Sequence, residues 1–167
     1  MKKLLLGLLC TVALGAYANP ADDLLNRIDK GAAAKFKTIL VKSDKDFFEI
    51  DQVGNGKNTT APKPAGKNNP IIIRGNSWVN IAVGINWYLK HHAGIHITWN
   101  NMSQKLPNVL PAVKQKERHE TDLKLRYDFN YCTFSYTMAF WDWNRWQKEI
   151  DWMALHGINM PLAAVGT

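Results

Sequence analysis

The chain has 167 residues, of which 46% are hydrophobic, and its formal net charge is +7. Its basic residues are scattered, mainly through 30–67 and 105–116, with no arginine cluster and no basic helix face, so the charge favours solubility over nucleic-acid binding. The two cysteines are Cys10 and Cys132. Because Cys10 lies in a segment expected to be removed, no internal disulfide is expected.

Residues 1–18 have the pattern of a secretory signal peptide. Two lysines precede an apolar stretch from Leu4 to Leu14, and Ala16-Tyr17-Ala18 provides a small-x-small cleavage site. The apolar stretch is too short to span a bilayer, so we expect no stable membrane insertion after cleavage. The predicted location is therefore exported, either periplasmic or extracellular.

Residues 19–104 are predicted to form a small α/β domain. Its predicted elements are a helix at 20–34, two strands at 36–41 and 47–53 that form a hairpin or a neighbouring pair, a strand at 71–75, a helix at 77–91 and a strand at 96–99. Residues 54–70 are rich in Gly, Pro, Asn and Lys, which predicts an exposed loop. Residues 105–121 are charged and contain two prolines, which indicates a linker between domains.

Residues 122–167 are predicted to be a strand, a helix and a second strand. Asp142 is a good N-cap for the helix, and Gly157 suits the left-handed turn that ends it. The spacing of Trp146, Ile150 and Met153 predicts a buried stripe that runs to Gly157. The i, i+4 pairs Arg145/Glu149 and Gln147/Asp151 are assigned to the wetter side of the helix.

The apolar run at 158–165 is typical of a strand covered on both faces. The fold class is therefore α/β, with the second part the beginning of a (β/α)8-type barrel or of a doubly wound sheet. Two strands cannot bury both faces by themselves, so we expect the chain to be an N-terminal fragment of a longer protein, truncated after the first strand-helix-strand.

Catalytic signatures are nearly absent from the sequence. It has no Gly-rich phosphate loop, no G-x-S-x-G, no H-E-x-x-H and no cysteine pair for zinc. His91 and His92 are adjacent and would point to different sides of a helix end, so with His96 they are interpreted as solvated histidines rather than metal ligands. Asp142, Glu149 and Asp151 are assigned to capping and pairing, and no catalytic residue, metal or cofactor is predicted.

Asn130 and Cys132 are the candidate site residues. Two residues apart on a strand from Lys124 to Thr133, they would face the same side, near the carboxyl end of that strand, where such barrels carry their active sites. The alternative is a purely structural role, in which the Cys132 thiol is a small buried hydrophobic group and Asn130 is a turn residue. Of the clustered tryptophans, Trp146 is assigned to the core, whereas Trp141 could lie in a pocket or in the core.

The segment FNYCTFSYTMAFWDWNRWQKEIDWMALHGINMPLA resembles the alpha-N-acetylglucosaminidases of glycoside hydrolase family 89. Upstream, Ile73-Arg74-Gly75 and GINWYLKHHAGIHITW resemble the small N-terminal domain of that family. The resemblance implies a small α/β domain and a (β/α)8-type catalytic barrel. It also implies removal of terminal α-linked N-acetylglucosamine from glycans with retention of configuration, catalysed by two glutamates. Asn130 and Cys132 match the family's N-x-C motif, whose residues line the sugar pocket, whereas no position here matches the two glutamates.

The resemblance therefore predicts the front part of an exported glycosidase whose substrate is a glycan ending in N-acetylglucosamine, and the fragment itself is expected to be inactive. The alternative is a non-catalytic carbohydrate-binding or interaction module that uses the exposed aromatic residues. That alternative predicts a monomer that folds alone and binds sugar weakly.

Overall fold

The computed structural model describes residues 19–53, 64–66 and 68–162. The predicted signal peptide at 1–18, most of the predicted loop at 54–70 and the end of the last predicted strand lie outside the described residues.

The elements follow one another as a mixture of helices and strands, which confirms the α/β class. They are α1 (Pro20–Ile28), a 3-10 turn (Ala32–Lys35), β1 (Phe36–Leu40), β2 (Asp46–Gln52), β3 (Ile71–Gly75), α2 (Trp78–His91), β4 (Glu117–Thr121), β5 (Tyr127–Asp128), α3 (Tyr131–Tyr136), a second 3-10 turn (Met138–Phe140), α4 (Trp143–Leu155) and β6 (Met160–Pro161). Helix α1 ends before the predicted Ala34 because the backbone of Asp29 is extended, with a φ of -148° and a ψ of 128°.

A four-stranded sheet with the order β1-β3-β2-β4 forms the first unit. Strand β3 is parallel to β1 and antiparallel to β2, and β4 is antiparallel to β2. The strands β1 and β2 exist as predicted, but their predicted pairing is wrong because β3 lies between them. The three consecutive isoleucines of β3 are all buried, so this strand occupies the interior of the sheet.

Helix α2 packs against this sheet and fills the core of the first unit. Ile81, Ile85, Tyr88 and Leu89 are fully buried in it, and Ser77 caps the helix by accepting from the Asn80 amide, so the predicted helix is confirmed. Helix α2 approaches β3 closely at Gly84, where an added Cβ would come 2.7 Å from Ile73 Cγ2.

Two predictions for the region after α2 are revised. Residues 96–99 do not form a strand, because Thr98 and Asn101 close a tight turn by bonding to each other through their backbones. Residues 105–121 are packed into the first unit. Leu106, Leu110 and Val113 are buried in its core, and Glu117–Thr121 is β4 of its sheet. The proposed boundaries at 104 and 121 stay a prediction, but the connecting segment is built into the first unit.

The second unit has the predicted order of strand, helix and strand. Strands β5 and β6 pair in parallel, with Tyr127 opposite Met160 and Asp128 opposite Pro161. The predicted strand from Lys124 to Thr133 is much shorter than expected, because Phe129 takes a φ of 73° and a helix starts at Tyr131. The described residues contain no closed barrel, and Met160 and Pro161 are exposed rather than covered on both faces.

Helix α4 has its predicted ends but only part of its predicted buried face, since Met153 and Gly157 are buried as predicted and Trp146 is half-buried. Asp142 accepts from the Arg145 amide at 2.8 Å, and Gly157 takes a φ of 82°. The side chain of Ile150, however, is 46% exposed, whereas Glu149 retains only 2% exposure and Asp151 is buried. Two residues apart on a helix, these carboxylates point to nearly opposite sides of it, and each finds a partner in the first unit.

Candidate functional site

The two candidate site residues lie just after the carboxyl end of β5, as predicted, but not on a strand face. Both Asn130 and Cys132 are exposed, and Asn130 Oδ1 accepts from the Cys132 backbone amide at 2.9 Å. Asn130 therefore caps the first turn of α3, and the two side chains are related by that turn rather than by strand alternation. The structure places them together at one end of β5 and leaves the Cys132 thiol accessible.

The backbone before Asn130 is held in a sharp turn. Asp128 Oδ1 accepts from the amide of Phe129, the residue with the left-handed φ. This bond satisfies the amide at the point where the chain leaves β5, so Asp128 has a structural role here.

A cleft of about 310 Å³ lies beside this turn and is lined mostly by aromatic rings. Phe129, Trp141 and Trp152 come from the second unit, and Trp99 comes from the first. Trp141 is half-buried and packs edge to face on Trp146, with ring centroids 5.1 Å apart. The cleft is thus a property of both units together.

Glu149 connects the two units at this cleft. Its Oε2 accepts from the indole Nε1 of Trp99 at 2.6 Å and from Arg145 at 2.8 Å. The Arg145 guanidinium lies over the ring of Trp99, 4.6 Å from its centroid, and over that of Trp141, 4.0 Å from its centroid. Sequence reasoning identified the Arg145/Glu149 pair but missed its burial, since nothing in the helix pattern indicates Trp99.

Asp151 makes a second connection, two residues further along α4. Both of its carboxylate oxygens accept from Arg27 of α1, at 2.6 and 2.7 Å. This hydrogen-bonded carboxylate raises the pKa of Arg27, against the opposing effect of partial burial. The predicted pairing with Gln147 is not the one that the structure shows.

Arg126 makes the third connection, directly before β5. Its guanidinium donates to Asp46 of β2 at 2.8 Å, to Asn80 of α2 at 3.3 Å and to the carbonyl of Gly157 after α4. The side chain is 16% exposed. A single arginine therefore fixes the start of β5 against the sheet, α2 and the end of α4.

The histidines near the end of α2 are not simply solvated. His92 Nε2 lies 3.0 Å from Glu117 of β4, and the His91 ring packs against Trp87 at an interplanar angle of 38° with centroids 4.2 Å apart, whereas His96 is exposed. Within residues 19–53, 64–66 and 68–162, no three His, Cys, Asp or Glu side chains are arranged to hold a metal ion. No helix in that same part of the chain has the length and apolar content needed to cross a membrane.

Comparison with family models matches both units in succession. Residues 19–112 match the N-terminal domain, and residues 126–167 the TIM-barrel domain, of the alpha-N-acetylglucosaminidase family. Human alpha-N-acetylglucosaminidase is 45% identical over 96 residues, which cover 58% of this chain and 13% of the human protein.

Solved structures of family 89 glycoside hydrolases are also similar to this chain. A family 89 glycoside hydrolase from Clostridium perfringens, in complex with 2-acetamido-1,2-dideoxynojirmycin, superposes with a TM-score of 0.71 at 30% identity, covering 85% of this chain and 15% of that one. A double glutamate-to-glutamine variant of the C. perfringens enzyme, in complex with its substrate GlcNAc-alpha-1,4-galactose, superposes with a TM-score of 0.67 at 28% identity, over the same share of both chains. The chain therefore spans about one seventh of the length of these relatives.

Proposed function

Because the chain belongs to the alpha-N-acetylglucosaminidase family, glycoside hydrolase family 89, we propose that it supplies the N-terminal domain and the opening of the catalytic barrel of an exported α-N-acetylglucosaminidase. The substrate class is a glycan with a terminal α-linked N-acetylglucosamine. The observation that carries the proposal is the match of both domain models, in their order along the chain.

In this proposal Asn130 and Cys132 contact the sugar. They are exposed at the carboxyl end of β5, the end at which parallel barrels carry their sites. The substrate bound in the C. perfringens structure, GlcNAc-alpha-1,4-galactose, supports a sugar of this kind.

The 167 residues alone are proposed to be inactive. Retaining hydrolysis needs two carboxyl groups about 5 Å apart that are free to act as nucleophile and as acid. In the described second unit, Asp128 and Asp142 hold backbone amides, while Glu149 and Asp151 hold cations and an indole. These structural roles leave none of the four for chemistry at the sugar.

Thiol protection tests the proposed site. Iodoacetamide alkylation of Cys132, followed by peptide mapping, is expected to slow several-fold at saturating GlcNAc-alpha-1,4-galactose and to be unaffected by galactose alone. An aryl α-N-acetylglucosaminide should release no aryl alcohol. An unchanged alkylation rate would refute the sugar contact, whereas turnover by the purified chain would refute its inactivity.

Export is proposed from residues 1–18, with cleavage after Ala18. N-terminal sequencing of the secreted protein should then begin at Asn19, the residue that caps α1 by accepting from the Ala21 amide. Retention of the first eighteen residues on the mature protein would contradict this.

A further inference from the structure

A second region with the character of a ligand site lies away from Asn130 and Cys132. It is a groove between residues 99–103 of the first unit and α4 of the second, which we call the interunit groove. Two adjoining cavities of about 370 Å³ each form it and share Met102, Ser103 and Lys148. Cavities of this size fall within the range that small ligands occupy.

The charged groups along the interunit groove are largely neutralised. Arg27 is bound to Asp151, and Arg145 to Glu149, so four of its charges cancel in pairs. Lys148 is exposed and, among the described residues, has no carboxylate partner. Within the described ranges, the interunit groove is therefore left with one unpaired positive charge, on the exposed Lys148, and is otherwise neutral.

Its remaining polar side chains are neutral hydrogen-bonding groups from both walls. They are Asn100, Asn101, Ser103, Asn144 and Gln147. In the part of the chain that the structure describes, none of these five side chains has a hydrogen-bond partner. Side-chain amides both donate and accept, which suits the hydroxyl and acetamido groups of sugars.

Trp99 supplies an aromatic surface at one end of the groove, and it is held in place. The residue is 46% exposed, yet its Nε1 donates to the buried Glu149 and Arg145 lies over its ring. The turn that carries it is closed by Thr98 and Asn101, and the backbone amide of Gln104 donates to Ile28 of α1 at 3.0 Å. A fixed ring loses little conformational entropy when a ligand packs on it.

We propose that the interunit groove binds an uncharged oligosaccharide, independently of the site at Asn130 and Cys132. Sugar hydroxyls pair with the amides of both walls, and an apolar sugar face packs on the exposed part of the Trp99 indole. This binding goes beyond the proposed function and needs no hydrolysis. Binding in the interunit groove holds a glycan chain on the protein. It thereby raises the local concentration of the ends of that glycan that the groove does not bind.

Nitrogen-15 NMR of the whole chain, titrated with GlcNAc-alpha-1,4-galactose and with maltohexaose, tests the proposal. The indole signal of Trp99 and the side-chain amide signals of Asn144 and Gln147 are expected to shift together and to saturate, with a Kd on the order of 1 mM for a few such contacts. The backbone signals of Asn130 and Cys132 report on the other site in the same spectra, so the two proposals succeed or fail separately.

The matched variants are Asn144→Ala with Gln147→Ala in the groove and Asn108→Ala outside it. The groove residues lie on α4, where alanine is a good helix former, so the fold is retained. The double variant should weaken the groove titration at least five-fold, and Asn108→Ala should leave it unchanged. Shifts confined to Asn130 and Cys132, an absence of shifts at 10 mM sugar, or equal affinity in the double variant would each overturn the proposal.

Discussion

Three acidic side chains are buried in the described part of the chain, and each is matched by cationic or N–H donors. Glu149 binds Trp99 and Arg145, and Asp151 binds Arg27. Glu49 of β2 accepts from two cations, Lys116 directly before β4 and Arg118 within it, both at 2.8 Å. Removing one partner of such a pair leaves an uncompensated charge, so these residues fix which surfaces come together.

Asp46 gives the fold an acid-sensitive contribution. Hydrogen bonds from Asn76 and Arg126, at 2.9 and 2.8 Å, lower its pKa from the ordinary value of 3.8. A carboxyl whose pKa is lower in the folded state stabilises the fold above its unfolded pKa, and that stability is lost as the pH falls through the folded pKa. We expect the free energy of unfolding to drop below about pH 3.8, and Asp46→Asn to make this drop shallower.

Urea unfolding at about pH 7, 4 and 3 measures both effects. The drop should become shallower rather than vanish, because the pKa of Glu49 is also lowered: the bonds from Lys116 and Arg118 outweigh the opposing effect of its burial. Arg126→Gln should raise the pKa of Asp46, as followed by carbon-13 NMR of its carboxyl. The same pH dependence in wild type and Asp46→Asn would contradict this account.

The C-terminal end of α4 depends on Gly157. With a φ of 82°, an alanine there is strained, and its Cβ would come 3.2 Å from Val83 Cγ2 of α2. Gly94 offers a matched control, since its φ of 67° is also left-handed but an added Cβ would meet nothing within 4 Å. We expect Gly94→Ala to cost about 1 kcal/mol and Gly157→Ala about 1–2 kcal/mol more, in urea unfolding. Equal costs would mean that α2 and α4 move apart without penalty.

The elements show what sequence patterns can and cannot predict. The caps of α4 are local, because Asp142 and Gly157 act within one turn, and both were predicted correctly. The buried side of α4 is not local, because it depends on Arg27 and Trp99, far away in the chain. Helical periodicity alone predicts that Ile150 is more buried than Glu149. The structure shows the reverse, because the partners of the buried carboxylates lie far away in the chain.

The same reasoning explains the errors in the sheet and at the candidate site. Strands β1, β2 and β3 have a recognisable pattern or apolar run, but the position of β3 between β1 and β2 is a property of all three together. Strand β4, with the sequence ERHET, has no apolar pattern and was assigned to the linker. Asn130 and Cys132 were placed on the face of a strand near its carboxyl end, whereas the structure has them just beyond the end of β5. Their relation through a helix turn depends on the left-handed φ of Phe129, which is uncommon for a residue other than glycine.

Across the whole molecule, the two units are joined by polar contacts and by Leu155 of α4, which is fully buried in the hydrophobic core of the first unit. Arg27 and Trp99 of the first unit bind carboxylates of α4, Asn86 of α2 donates to the Leu155 carbonyl at 3.0 Å, and Arg126 binds Asp46 and Asn80. Polar contacts are directional, so this interface fixes the orientation of α4 and, through Arg126, of β5. The first unit thereby sets the position of the candidate sugar site.

The Arg27–Asp151 pair allows this coupling to be measured by a double-mutant cycle. Asp151→Leu alone leaves Arg27 beside an apolar surface and should cost about 1–3 kcal/mol, less than a fully buried pair because the Arg27 side chain is 37% exposed. Arg27→Met alone leaves the carboxylate of Asp151, which is 10% exposed, without its cation and should cost at least as much. The double variant should recover most of the loss, because two apolar side chains can pack where the ion pair was.

Urea unfolding followed by far-UV circular dichroism gives these energies, and the indole N–H signal of Trp146 in nitrogen-15 NMR reports on the second unit alone. In the wild type both probes should change at one urea concentration, since the units are coupled. In each single variant the native Trp146 signal should be lost at a lower urea concentration than that of the circular dichroism transition, and in the double variant the two should coincide again. Additive single costs, or probes that separate already in the wild type, would show that the orientation of the second unit does not depend on this pair.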